Sequence, residues 1–188
     1  MGQGVTPALV NALALAFDSQ RVLKAIVQAI YYALVDLGIL KREEEEAWEP
    51  KVEEDLILAG AIPYFIHLLC IGEDYKIGEE DSVIKCVSDV VGSSRTAQVT
   101  FLNAGGVTPL TRFISTIPLD DQHDGIDTIS LFAHHSHKLR MEIQEAGAES
   151  VLSGYLTNGP NNDYNQSTRA KAMEALKLLH SNTAGQTG

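Results

Sequence analysis

A short segment recurs along this chain, and that recurrence constrains the fold more tightly than any other feature. Gly4-Val5-Thr6-Pro7-Ala8-Leu9, Gly60-Ala61-Ile62-Pro63-Tyr64-Phe65, Gly105-Gly106-Val107-Thr108-Pro109-Leu110 and Gly147-Ala148-Glu149-Ser150-Val151-Leu152 are variants of one unit. Alanine precedes the glycine in three of them, as Ala59-Gly60, Ala104-Gly105 and Ala146-Gly147, and these glycines lie 45 and 42 residues apart. Self-similarity at such a period marks stacked helical units, none of which can bury its apolar face alone.

A second landmark keeps phase with the first. It comprises Ala33-Leu34-Val35-Asp36-Leu37-Gly38, Cys86-Val87-Ser88-Asp89-Val90-Val91, Thr128-Ile129-Ser130-Leu131-Phe132-Ala133 and Ala175-Leu176-Lys177-Leu178-Leu179-His180. From Val91 to Ala104 and from Ala133 to Ala146 the step is 13 residues, whereas from Gly38 to Ala59 it is 21. The first connection therefore carries 8 extra residues, and the charged run Lys41-Arg42-Glu43-Glu44-Glu45-Glu46-Ala47-Trp48-Glu49-Pro50 locates them in an elaborated loop.

The units read as helices. In Pro63 to Cys70 and in Val83 to Val91 the apolar residues fall at i, i+3, i+4 and i+7, which lines one face of a 3.6-residue helix. No run alternates strictly enough to argue for a strand. Turns are expected at Asp18-Ser19, Gly72-Glu73-Asp74, Pro118 to Gly125 and Thr157 to Gln166, which are rich in Gly, Pro, Asn and Asp. The fold class is all-α.

An Ala-Gly step, an apolar helix opened by a proline, and a longer helix ending in a small-Leu-x-(Asn or Asp)-Leu-small block together resemble the armadillo repeat. The resemblance covers the chain from about Gly4 to His180. It implies a right-handed α-solenoid over 1–188, with repeats at about 4–58, 59–103, 104–145 and 146–180, an acidic insertion at 41–50 and a polar tail at 181–188. It also implies that each glycine marks the sharp break between first and second helices, where a residue without Cβ adopts angles that others avoid. Pro7, Pro63 and Pro109 then suit the first turn of the second helix, where no backbone donor is needed.

Composition bounds the setting. The chain is 45% hydrophobic and only 6% aromatic, which suits helix packing through Leu, Val, Ile and Ala. Cys70 and Cys86, both expected on buried helix faces without metal-like spacing, imply a reducing compartment and a cytoplasmic protein, with nuclear or cytoskeletal association open. No apolar run reaches the roughly 18 residues a membrane span needs. Met1-Gly2-Gln3-Gly4-Val5-Thr6 matches the pattern for myristoylation of Gly2, but no helix precedes the first unit, and a cut within a longer array is the favoured reading.

Function on such a fold comes from surfaces. The resemblance implies that the third helices line a concave groove, where the family's extended-peptide binders place a tryptophan and an asparagine four residues apart. Here the tryptophan-type positions hold Tyr32, Lys85, Asp127 and Glu174, and the asparagine-type positions hold Asp36, Asp89, Leu131 and Leu178. The aromatic and amide ladder is lost, so recognition of basic signals in the nuclear-import manner is not expected. Tyr32, Asp36, Asp81, Lys85, Asp89, Asp127 and Glu174 instead form a candidate groove with one acidic flank. With a formal net charge of -11 the chain repels nucleic-acid phosphates and steers basic segments towards it. Each of these charges, taken singly, is also compatible with an ordinary solvated helix surface.

Other clusters carry less. His134, His135 and His137, with His123 upstream, could bind a metal, but Ala133 to Leu139 reads as the turn between repeats, which sends the rings in different directions. Glu43 to Glu46 lacks the interleaved pattern of a calcium loop. The chain holds no Gly-x-Ser-x-Gly elbow, phosphate loop, Cys-x-x-Cys pair or His-Glu-x-x-His helix. The expectation is a non-catalytic scaffold or adaptor, without cofactor or metal, binding a basic protein or peptide segment. The alternatives are a regulatory module that takes an anionic metabolite near Lys85, His123 and Arg112, and a structural segment of a larger assembly.

Overall fold

The computed structural model describes residues 11–12, 57–58, 60–72, 80–135 and 137–183. Among them are eight α-helices and no strand: α1 (Ile62–Gly72), α2 (Glu80–Ser93), α3 (Arg95–Asn103), α4 (Val107–Thr116), α5 (His123–His135), α6 (His137–Glu145), α7 (Ala148–Asn158) and α8 (Gln166–Thr183). Two 3-10 turns, Leu119–Asp121 and Asp163–Asn165, lead into α5 and α8. The first recurring unit and its Pro7, Asp18-Ser19, Ala33 to Gly38, the 41–50 insertion and Gly2 lie outside the described residues, as do Glu73-Asp74 and residues 184–188.

The recurring glycines are the joints. Gly60, Gly105 and Gly147 have φ of +81°, +76° and +87°, a left-handed conformation that Cβ disfavours. At each, the glycine N–H donates to the carbonyl three residues back: Ile57, Leu102 and Gln144. At the second joint Gly106 also donates to Phe101, which completes the paired bonds that close a helix C-terminus. Pro63 and Pro109 fall in the first turns of α1 and α4, as expected.

From each joint a helix pair follows: α1 with α2, α4 with α5, and α7 with α8. The third-helix blocks, Cys86 to Val91, Thr128 to Ala133 and Ala175 to His180, lie within α2, α5 and α8, and these three helices pack side by side in that order. Helices α1, α4 and α7 form a second row. The core between the rows runs through Phe65, Ile84, Val87, Phe113, Ile129, Phe132, Leu152 and Leu179. Phe101 of α3 stacks on Phe132 of α5, ring centroids 6.0 Å apart.

Three local expectations are corrected. Cys70 is exposed, because the buried face of α1 runs through Ile62, Phe65, Leu68 and Leu69 and leaves position 70 about a quarter turn away. The described residues from Ala133 to Leu139 are helical and not a turn: α5 continues to His135 and α6 starts at His137. The stretches expected as loops are shorter than their composition suggests. Helix α5 already begins at His123, and α7 runs to Asn158 before the turn at Asp163–Asn165.

That last turn is well fastened. Asn162 Oδ1 accepts from the Asn165 backbone, and Tyr155 Oη donates to Asn165 Oδ1 across 3.2 Å. Arg169 of α8 reaches back to the carbonyls of Tyr155, Leu156 and Gly159, which satisfies the open C-terminus of α7.

Candidate peptide-binding surface

The row of third helices carries the sequence-derived candidates at matching positions. Lys85 and Asp89 lie one helical turn apart on α2, Asp127 and Leu131 on α5, and Glu174 and Leu178 on α8. All six keep at least part of their surface open to solvent. Tyr32 and Asp36 lie outside the described residues; Asp81 is within α2, but its side chain is outside them.

The geometry also adds residues that the sequence reading missed. Lys85 Nζ faces Asp124 Oδ2 of α5 at 3.9 Å, and Asp127 Oδ2 is held by Lys171 Nζ of α8. The two pairs share one register. Asp124 stands three residues before Asp127, and Lys171 three residues before Glu174, so Lys85 and Asp127 each meet the residue one turn earlier on the next third helix. His134 Nε2 of α5 also lies 3.8 Å from Glu174 Oε2 of α8, a third bridge whenever the imidazole is protonated. Beneath the first bridge, Thr128 Oγ1 donates to Ser88 Oγ at 2.8 Å and Ser88 donates to the Asp124 carbonyl at 3.0 Å.

The surface is thus acidic but cross-linked. Four carboxylates (Asp89, Asp124, Asp127, Glu174) stand against two lysines (Lys85, Lys171), a net of -2 when the histidines are neutral. Asp127 is bound from one side: Oδ1 is buried, and Lys171 sits on Oδ2. Asp124 is approached from two sides, since His123 Nε2 lies 3.4 Å from the same oxygen that faces Lys85. Two of the three residues considered for an anion pocket, Lys85 and His123, therefore converge on a carboxylate. Arg112, the third, is exposed on α4, a second-row helix.

Chemistry beyond binding finds little purchase among the described residues. Cys86 is buried, and desolvation, reinforced by Asp89 and offset in part by Lys85, pushes its thiol up to about 12. At neutral pH it is a packed thiol rather than a nucleophile. No three His, Cys, Asp or Glu side chains there are grouped as a metal site would need, and His134, His135 and His137 are divided between two helices. No described helix is long and apolar enough to cross a membrane.

Comparison with solved structures defines the class: the chain has an armadillo-like repeat fold. It is similar to a designed armadillo repeat protein in complex with the peptide (KR)4, with a TM-score of 0.66 and 20% identity over 92% of this chain. This chain spans 64% of that protein's length. A second designed armadillo repeat protein matches 94% of this chain at a TM-score of 0.58 and 20% identity, covering 82% of the designed chain. An engineered protein matches 96% of this chain at 0.66 and 15% identity, covering 68% of its own length. No protein-family model matches the chain, and no curated protein matches it in sequence.

Proposed function

We propose that this protein is a non-catalytic scaffold that holds a basic, extended segment of a partner protein across α2, α5 and α8. The observation that carries the reading is the placement of Asp89, Asp124, Asp127 and Glu174 on adjacent third helices within a chain of net charge -11. A similar fold binds (KR)4, a peptide of alternating lysine and arginine. Charge does the recruiting here, because Leu131 and Leu178 stand where an amide ladder would otherwise hold the peptide backbone. Rigid repeats keep the surface in place, so the ordering cost falls on the partner.

The role is proposed to extend to Tyr32 and Asp36 of a first repeat at about 4–58, and to Asp81 near the start of α2 in the repeat at about 59–103. The setting that fits is cytoplasmic, without cofactor, metal or nucleic acid. The test is fluorescence anisotropy with labelled (KR)4 and with an acidic control of equal length, (ED)4, at low and moderate salt. Wild type binds (KR)4 in a salt-sensitive manner and leaves (ED)4 free. Asp89→Asn with Glu174→Gln weakens (KR)4 about three- to tenfold, the worth of two partly exposed charge contacts. Equal binding of both peptides, or of both protein variants, counts against the acidic surface.

A further inference from the structure

We propose that Lys171 is a built-in competitor for the partner. It occupies on Asp127 the place that a lysine or arginine of the bound segment would take, so the charge on this one side chain sets how open the acidic surface is. The inference rests on the reading of that surface given above and deepens it by naming a regulator.

Asp127 stands at the centre of the row, on α5 between α2 and α8, where a segment laid across the three helices must pass. Its Oδ1 is buried, which leaves Oδ2 as the oxygen an incoming cation can reach. Lys171 Nζ is on that oxygen. An incoming ammonium or guanidinium therefore meets Lys171, a like charge, at that oxygen and is opposed by it until Lys171 swings away. The exchange is feasible because the Lys171 side chain is 49% exposed on a flexible four-carbon stem, so it can swing into water without a buried charge being left behind. Asp124 is less suited to exchange, since Lys85 and His123 both face its Oδ2.

An exposed ion pair of this kind is weak, and releasing it costs a binding partner about two- to fivefold in affinity. Loss of the Lys171 charge, by substitution or by acetylation of Nζ, removes that competition and leaves Asp127 to the partner.

The experiment is an anisotropy titration of labelled (KR)4 against wild type, Lys171→Met, Asp127→Asn and the double variant. Lys177→Met, on the same helix and away from the Asp127 pair, controls for loss of a positive charge in general. Lys171→Met is expected to tighten binding about two- to fivefold beyond Lys177→Met, and the gain is expected to vanish in the Asp127→Asn background. Lys171→Gln serves where the methionine variant folds poorly. If wild type binds and Lys171→Met binds no tighter than Lys177→Met, Lys171 is only a brace between α5 and α8 and the inference fails while the scaffold reading stands. If no variant binds (KR)4, the scaffold reading fails and the inference falls with it.

Discussion

Replacing Gly105 by alanine isolates the joint on which the repeat architecture depends. At φ of +76° a β-carbon is strained by the chain's own backbone, yet an ideal Cβ built there meets nothing within 4 Å. The penalty is therefore conformational and not steric in the tertiary sense: roughly 1–2 kcal/mol for an L-residue held in the left-handed region. Alanine also restricts the unfolded chain, which returns about 0.4–1 kcal/mol. The net expectation is a loss of about 1 kcal/mol, or a fall in Tm of about 2–4 °C for a chain of this size. Gly105→Asn should lose less, because asparagine tolerates these angles better. Urea denaturation read by circular dichroism measures the difference, with an unchanged slope confirming that the compactness of the end states has not altered. Gly125→Ala is the contrasting variant. Gly125 is helical, but its Cβ would lie 2.5 Å from Cγ1 of Ile114, so its cost comes from overpacking, about 1–3 kcal/mol. A Gly105→Ala protein as stable as wild type or more so would refute the assignment of Gly105 as a left-handed joint.

Three further outcomes follow from the core and the two cysteines. Phe132→Ala removes a fully buried ring stacked on Phe101 and is expected to cost about 3–5 kcal/mol in the same urea assay, whereas Leu131→Ala next to it should cost under about 1 kcal/mol; equal losses would misplace the face of α5. Iodoacetamide at pH 8 should label Cys70 in the native protein and Cys86 only after unfolding, as read by peptide mass spectrometry. The Cys86 thiol is raised from 9.0 to about 12, so above pH 9 the folded state retains a proton that the unfolded state loses. Its stabilising contribution is whole below pH 9 and drains as pH rises towards 12, by at most about 1.4 kcal/mol per pH unit. Rapid native labelling of Cys86, or stability that is flat in a Cys86→Ala comparison across that range, would contradict its burial.

The joints at Gly60, Gly105 and Gly147 were legible because a positive φ demands glycine, and at the first two of these the helical turn that follows also carries a proline. The third helices were legible for a similar reason: Val83, Ile84, Val87, Val90 and Val91 declare a buried face by spacing alone. Cys70 was misplaced because a short, almost wholly apolar run fits more than one helical face, and only the packing of α1 against α2 and α4 selects one. Composition misled at Pro118 to Gly125 and at Ala133 to Leu139, where histidine and aspartate sit at helix ends and not in open loops.

The candidate surface was legible in its positions but not in its wiring. Lys85, Asp127 and Glu174 follow from aligning the blocks, yet Asp124 and Lys171 do not. Their roles depend on a one-turn offset between neighbouring helices, which no single repeat contains. The same limit hid Arg169, whose contacts with the α7 C-terminus span 10 to 14 residues.

The measurement that tests the scaffold claim most directly is an amide chemical-shift map of the isotopically labelled protein titrated with (KR)4 at low salt. The account predicts that the perturbed amides cluster around Lys85, Asp89, Asp124, Asp127 and Glu174 on α2, α5 and α8, and that the shifts reverse on adding salt. Perturbations centred instead on the second row, α1, α4 and α7, or shifts indifferent to salt, would contradict it.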